Sequence, residues 1–201
     1  TSTRFGVDGF GIEKARAAAV MLLALRGTCF LYQGEELGLP DTRIDESVRV
    51  DIDGRDGCRT PIPWEWPTER APGAGFTNGV PWLPIGDTAD TLNVAAEYAD
   101  SSSTYWLYRN LISARKSSPA LREGAFVSRG MIKDVFVFDR IADEQLVRCL
   151  VNFGPAEQTL SNIVSPGSMS HLISSVADPD PESLAGHEAR LLTQEIPQKN
   201  S

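Results

Sequence analysis

The feature that most constrains this 201-residue chain is a long stretch, residues 34–103, in which no hydrophobic period persists. Neither the spacing of a helix nor the alternation of a strand runs through it. Seven of the 13 prolines lie there, with three of the four tryptophans, Trp64, Trp66 and Trp82. Disordered segments are poor in aromatic residues, and loops this long inside a domain are usually functional. We therefore expect a folded, functional loop.

Regular elements are predicted before this loop. Residues 12–26 (IEKARAAAVMLLALR) are rich in strong helix formers and are followed by Gly27, so we predict a helix whose apolar second half is buried. The apolar and aromatic run 28–33 (TCFLYQ) predicts a buried strand. A helix that leads into a buried strand is typical of an α/β architecture.

Beyond the loop the chain changes in character. A second helix is predicted over residues 104–116, with Ser102 or Ser103 as its cap and Ser117-Ser118-Pro119 at its end. Short β-type runs separated by turn residues follow at 125–128, 135–140, 145–152, 158–160, 171–174 and 188–192. We predict two domains, residues 1–118 and a small antiparallel β-sandwich over residues 119–201.

Charge and composition exclude several classes of protein. The net charge is −8, from 19 Lys+Arg and 27 Asp+Glu, and no basic run is present, so we expect neither nucleic acid nor a membrane as partner. The longest apolar stretch, residues 17–25, is shorter than the roughly 20 residues that cross a bilayer. Cys29, Cys58 and Cys149 form an odd, widely spaced set, which favours a reducing, cytoplasmic location over disulfides or a zinc site.

Few side chains suggest chemistry directly. His171 and His187 lack metal-binding spacing, and we interpret them as surface or turn residues. Without a GxSxG elbow or a phosphate-binding glycine loop, we expect neither serine acyl transfer nor nucleotide chemistry. We predict no cofactor and no metal. Glu35 and Glu36 are adjacent, so they would point to opposite faces of a strand, and we expect them to bond the loop structurally.

The segment DIDGRDG, residues 51–57, superficially resembles a calcium loop. The match fails, because the fifth position is Arg55 and the sixth, which requires glycine, is Asp56. What remains is a cluster of arginines and aspartates between glycine turns. Such a cluster suits either a polyhydroxylated ligand or an ordered salt-bridge network, and the spacing alone favours the network.

Several spaced motifs carry a family resemblance. They are TRFG at 3–6, GTCFLYQGEELG at 27–38, GRDGCRTPIPW at 54–64, AGFTNG at 74–79, PWLP at 81–84, LNV at 92–94, ARK at 114–116 and PAL at 119–121. In this order they resemble the C-terminal third of glycoside hydrolase family 13, and the pattern is most similar to the α-glucosidases and oligo-1,6-glucosidases. The resemblance covers residues 1 to about 155.

The resemblance implies that the first part is the closing end of a (β/α)₈ TIM barrel. Residues 12–26 would be its seventh helix, 28–33 its eighth strand and 104–116 its eighth helix, with the long loop on the catalytic face. The family's C-terminal antiparallel domain would follow. The chain begins at Thr1 without a methionine, and we expect a fragment whose partners are an oligosaccharide or glucoside substrate and the missing N-terminal part of the same barrel.

The family implies a retaining mechanism with an aspartate nucleophile, a glutamate acid and base, and a second aspartate. These groups belong to motifs that this chain does not contain; one, an Asn-His-Asp motif, would stand just before the TRFG segment. We therefore assign no catalytic residue and expect the polypeptide alone to be inactive. The alternatives are a trehalose synthase or sucrose-active transglycosylase of the same family, or a non-catalytic structural relative.

The resemblance does assign substrate contacts. Arg55 resembles an arginine at the glucose-binding subsite that pairs with an aspartate nearer the N-terminus, and a guanidinium can hold both a carboxylate and sugar oxygens. Asp56 and Arg59 complete the predicted substrate-binding set as supports of the loop. We expect Trp64, Phe76 and Trp82 either to stack on sugar rings or to pack the loop, and Arg4 to order the missing motif.

Overall fold

The computed structural model describes residues 11–142, 144–165 and 167–196. They divide into two compact units. The first contains the described residues of 1–15 together with residues 31–106, and the second contains residues 16–30 and the described residues of 107–201. The division into domains at residue 118 stays a prediction.

Both long helices predicted from the sequence are present. Helix α1 spans Gly11–Ala24, and after a short helix α2 over Val94–Ala99 the helix α3 spans Thr104–Ser117. The Oγ atom of Ser103 accepts a hydrogen bond of 3.4 Å from the backbone N–H of Trp106, which makes Ser103 the cap of α3. A further short helix, α4 over Pro119–Glu123, was not predicted; Ser118 caps it.

The strand predicted at residues 28–33 is wrong. The segment is irregular, and none of the strands formed by the described residues pairs with it. Phe30 is 84% exposed, although its run has the composition of a buried strand. A strand exists only where a neighbour completes its hydrogen-bond ladder, and composition alone does not supply that neighbour.

Before α2 begins at Val94, the described part of the first unit from Leu31 onward consists mainly of turns and irregular segments, as the missing periodicity predicts. Three short 3₁₀ turns lie in it, Glu35–Leu37, Glu46–Val48 and Asp56–Arg59. Glu35 and Glu36 accept backbone N–H groups, from Tyr32 at 3.3 Å and from Gly34 at 2.8 Å, which confirms their structural use. The apolar side chains of Leu37, Leu39, Ile44 and Leu83 are buried within the described residues. The loop therefore has a small core.

The second unit contains two antiparallel sheets. The strands are β1 (Ala125–Ile132), β2 (Val135–Ala142), β3 (Gln145–Asn152), β4 (Gln158–Thr159), β5 (Ser170–Ser174), β6 (Ser183–Leu184) and β7 (Ala189–Glu195). Five of them form a sheet in the order β1-β2-β3-β7-β5, and β4 pairs with β6. The predicted antiparallel β-structure of the C-terminal part is confirmed.

The large sheet buries both faces, and the alternation of its side chains shows why. Val147, Cys149 and Val151 of β3 pack on one face with the C-terminal half of α1, with α3 and with α4. Leu150 points to the other face, where it packs with Leu184 of β6. The sheet is therefore covered by helices on one side and by the two-stranded sheet on the other.

Arg115 completes the end of helix α1. Its Nη1 donates to the carbonyl oxygens of Leu23 (2.6 Å) and Leu25 (2.9 Å), and its Nη2 donates to that of Gly27 (2.8 Å). The last carbonyls of a helix lack partners within the helix, and a cation is favourable there. Among the described residues, no helix is both long and apolar enough to cross a membrane.

Candidate functional site

The candidate site begins with a tight turn over residues 51–54. The N–H of Gly54 donates to the carbonyl of Asp51 at 3.1 Å, and Gly54 has a φ of 73°. This left-handed conformation strains other residues, so glycine suits the position. The turn returns the chain so that Arg55, the residue before the 3₁₀ turn Asp56–Arg59, faces the side chain of Asp51.

Arg55 forms ion pairs with two carboxylates, and only Asp51 holds it by two points. Its Nε and Nη2 donate to Oδ2 and Oδ1 of Asp51 at 2.8 and 2.7 Å, which is the parallel two-point geometry of a strong pair. Its Nη2 also lies 2.8 Å from Oδ2 of Asp53. No described residue accepts a hydrogen bond from Nη1 of Arg55, and the side chain is 46% exposed. A fixed guanidinium with free donors therefore faces solvent.

The electrostatics of the pair follow from this geometry. Hydrogen bonds from the Arg55 side chain, and then from its backbone N–H, hold the pKa of the Asp51 carboxyl well below its usual range. The same side-chain hydrogen bonds raise the pKa of Arg55 above its ordinary value. Asp51 is therefore an anion at every physiological pH.

Arg59 and Asp56 both contact Asp51. Nη1 of Arg59 lies 3.5 Å from Oδ1 of Asp51. Asp56 is buried, and its Oδ2 accepts the backbone N–H groups of Val50 (2.7 Å) and Asp51 (3.0 Å). Its Oδ1 has no hydrogen-bond partner among the described residues, which is costly for a buried carboxylate oxygen. The structure therefore brings Arg55, Asp56 and Arg59 together around Asp51, and the arginines form a salt-bridge network with the aspartates.

A second segment packs directly against the 3₁₀ turn. The N–H of Thr42 donates to the carbonyl of Gly57 at 3.0 Å, and the hydroxyls of Thr42 and Thr60 are 3.2 Å apart. A Cβ atom on Gly57 would lie only 2.7 Å from the carbonyl oxygen of Thr42. Glycine is thus required here for close approach of two backbones.

A cavity of about 600 Å³ lies between these segments. Its lining consists of residues 41–46, Arg49, Gly54, Asp56 and Gly57. Asp56 therefore borders the cavity, whereas Arg55 and Arg59 are not among its lining residues. The lining is mostly polar and includes side chains of both charges, which suits a ligand that both donates and accepts hydrogen bonds.

The three aromatic residues considered for sugar stacking lie on the same unit. Trp64, Phe76 and Trp82 are 53%, 49% and 62% exposed. Packing inside the unit therefore covers only about half of each side chain. Stacking on a sugar ring remains a prediction for all three.

The remaining residues singled out in the sequence are Arg4, His171 and His187. Arg4 lies outside the described residues. His187 lies in a turn with a φ of 55°, and His171 is an exposed residue of β5 whose pKa is lowered by partial burial and by Arg190. Sequence reasoning placed Asp51 and Asp53 in a salt-bridge cluster with Arg55 but did not include them in the substrate-binding set. The four-residue spacing of Asp51 and Arg55 was the available signal.

Comparison with known proteins identifies the class. The family description "Alpha amylase, catalytic domain" matches residues 1–124. A probable α-glucosidase of Rhizobium meliloti is 35% identical over 154 residues, which cover 72% of this chain and 27% of that protein. An oligo-1,6-glucosidase of Halalkalibacterium halodurans is 29% identical over 181 residues, covering 75% of this chain and 31% of that protein.

Solved structures are similar to this chain over most of its length. The trehalulose synthase MutB of Pseudomonas mesoacidophila matches with a TM-score of 0.76 at 29% identity, covering 90% of this chain and 38% of that one. The α-glucosyl transfer enzyme XgtA matches with a TM-score of 0.75 at 33% identity, and the match covers 90% of this chain and 36% of that enzyme's chain.

The chain belongs to the α-amylase family, glycoside hydrolase family 13, and its sequence is similar to those of α-glucosidases and oligo-1,6-glucosidases. It spans between about a quarter and a third of the length of the two curated relatives described above.

Proposed function

We propose that the complete protein is a retaining α-glucosidase and that this chain forms the closing end of its barrel, residues 1–118, and its C-terminal β-sandwich, residues 119–201. The order helix, long irregular loop, helix and antiparallel sheet supports this assignment. The α-glucosidases among its relatives support the reaction. Its three free cysteines support a reducing compartment such as the cytoplasm.

Within that enzyme, Arg55, Asp56 and Arg59 form the substrate-binding set: Arg55 donates to the hydroxyl groups of the sugar, and Asp56 and Arg59 support the loop that carries it. The observation that carries this proposal is the Arg55 guanidinium, which Asp51 holds by its Nε and Nη2 edge while no described residue accepts a hydrogen bond from its Nη1. Sugar hydroxyls are acceptors for such donors.

The hydrolytic step itself is assigned to carboxylates outside this chain. A retaining glycosidase needs two carboxyl groups roughly 5 to 5.5 Å apart across the glycosidic bond, one as nucleophile and one as acid and base. In this proposal Asp51 is committed to arginines, and Asp56 to the backbone N–H groups of Val50 and Asp51. The isolated chain is therefore inactive, and its substrate is a glucoside or short oligosaccharide with α-linked glucose.

A second candidate function is isomerisation or glucosyl transfer on sucrose. The similarity to a trehalulose synthase and to an α-glucosyl transfer enzyme favours it. Analysis of the products from sucrose separates the two: free glucose indicates hydrolysis, and an isomeric disaccharide indicates transfer. A non-catalytic relative would give neither product.

Substitution of Arg55 tests the proposed sugar contact in the complete enzyme. We expect Arg55→Ala to lower kcat/KM for an aryl α-glucoside roughly 10- to 100-fold, because hydrogen bonds to a charged group are lost. The melting temperature should change little, since the side chain is half exposed. Arg70→Ala, at an exposed position of the same loop, is the matched control. Near-normal kinetics for Arg55→Ala would remove Arg55 from the site.

A further inference from the structure

Asp51 contacts every member of the proposed sugar-binding set. Its carboxylate accepts the backbone N–H of Arg55 (2.8 Å) and the Nε and Nη2 of the same residue (2.8 and 2.7 Å). It lies 3.5 Å from Nη1 of Arg59. Its own backbone N–H donates to Oδ2 of Asp56 at 3.0 Å. Asp51 therefore links Arg55, Asp56 and Arg59.

We propose that Asp51 is a positioning residue of the sugar-binding site. It binds the Nε and Nη2 edge of the Arg55 guanidinium and thereby orients Nη1 toward the sugar. The inference rests on the proposed function, because it takes Arg55 to be a sugar contact. It goes further by assigning a role to a residue that contacts no sugar.

The geometry explains why an anion is needed at this position. An arginine side chain has many rotamers, and a half-exposed one samples them freely unless two of its donors are fixed. Asp51 fixes two donors at once, and its side chain is only 12% exposed. The planar guanidinium then has a defined orientation, so its remaining donors are directed before any ligand arrives.

Asp53 provides a matched comparison. It also pairs with Arg55, at 2.8 Å from Nη2, but through a single contact, and its side chain is 68% exposed. Among the described residues, Asp53 forms neither an ion pair nor a hydrogen bond with Arg59 or Asp56. Exposed single ion pairs contribute little, so Asp53 is not expected to orient the guanidinium.

The test uses four variants of the complete enzyme: Asp51→Asn, Asp53→Asn, Arg55→Ala and the double variant Asp51→Asn/Arg55→Ala. Asparagine keeps the size of Asp51 and leaves the backbone turn to Gly54 in place, but it removes the charge and one acceptor. We expect Asp51→Asn to lower kcat/KM about 10-fold and Asp53→Asn to change it less than about threefold. In the Arg55→Ala background, Asp51→Asn should add less than about threefold.

Guanidinium ion at millimolar concentration gives a readout that a merely structural role would not move. It should restore part of the kcat/KM of Arg55→Ala, because it can occupy the space beside the Asp51 carboxylate. It should not restore the double variant. If Asp51→Asn lowers the melting temperature, Asp51→Glu is compared instead: it retains the charge and should lose less activity than Asp51→Asn.

Three results would overturn the inference. If Arg55→Ala lowers kcat/KM but Asp51→Asn behaves like Asp53→Asn, the positioning role is wrong while the proposed sugar contact stands. If Asp51→Asn costs as much in the Arg55→Ala background as alone, Asp51 acts independently of Arg55. If Arg55→Ala itself is unchanged, the proposed function of the site fails first, and the role of Asp51 fails with it.

Discussion

The guanidinium of Arg140 in β2 donates a 2.7 Å hydrogen bond from Nη1 to the carbonyl oxygen of Ala24, the last residue of α1. Its Nε and Nη2 donate to the carbonyl of Gly124 at 3.3 and 3.0 Å. Arg140 is fully buried, and this burial lowers its pKa. A strand residue 116 positions away in sequence thus completes the end of a helix.

Replacing Arg140 should destabilise this unit strongly. Arg140→Met fills much of the volume but leaves the carbonyls of Ala24 and Gly124 buried without a donor, and we expect a loss of about 3 kcal/mol in the free energy of unfolding. Urea denaturation followed by circular dichroism measures it. Arg122→Met, at an exposed position that pairs with exposed Glu123, should change the value by less than about 0.5 kcal/mol. Equal effects for both would show that the buried hydrogen bonds contribute little.

The ion pairs of Asp139 should stabilise the folded protein at neutral pH and be lost in acid. Asp139 is fully buried on the opposite face of the sheet and accepts hydrogen bonds from Arg148 (2.7 and 2.9 Å) and Arg129 (2.7 Å). Burial raises the pKa of the Asp139 carboxyl, but the two arginines outweigh it, and the net pKa is lowered.

The sign of the effect on folding follows from that direction. Because the folded pKa is depressed, the stabilisation is fully present above the ordinary value near 3.8 and is lost as pH falls through the lower folded value. Asp139→Asn should cost about 2 kcal/mol at neutral pH and should flatten the fall in stability at acidic pH. Unfolding free energies measured from about pH 2 to pH 6 test this. An unchanged slope in the variant would contradict it.

How far the sequence predicts the fold differs between the two units. In the second unit, alternation in β2 and β3 places Phe138 and Cys149 on one face, and local pattern is sufficient to find the strands. At residues 28–33 an apolar and aromatic composition predicts a strand that does not form. A strand needs a neighbour for its backbone hydrogen bonds, and composition does not specify that neighbour.

The candidate site was only partly predictable for a similar reason. Arg55, Asp56 and Arg59 could be selected from a motif, since the motif is contiguous in sequence. The orphan oxygen of Asp56 and the contact of Thr42 with Gly57 depend on how the loop folds back on itself. Hydrophobic periodicity does not predict how the loop folds back, because turns are determined by individual residues such as Gly54.

The cysteines should differ sharply in reactivity. Burial raises the pKa of the Cys149 thiol, which lies 1% exposed in the core of the sheet, whereas Cys29 is only half buried. Thiolates are the reactive form, so an alkylating reagent at about pH 8 should label Cys29 and spare Cys149 until the protein is unfolded in urea. Mass spectrometry of the peptides reports both. Labelling of Cys149 at the rate of Cys29 in the native protein would show that the core opens readily.

Gly57→Ala should separate the two backbones that form the cavity wall. The added Cβ would lie 2.7 Å from the carbonyl oxygen of Thr42, and backbone cannot move aside as easily as a flexible side chain. We expect the hydrogen bond from the Thr42 N–H to Gly57 to break, so that this amide exchanges with solvent at least about 10-fold faster, corresponding to about 1.4 kcal/mol. Gly79→Ala is the control, because a Cβ there has its nearest neighbour at an ordinary 3.7 Å. If the Thr42 amide stays protected in Gly57→Ala, the segments do not depend on this close approach. If the Thr42 amide exchanges faster in Gly57→Ala and not in Gly79→Ala, the cavity wall depends on the absence of a side chain at position 57.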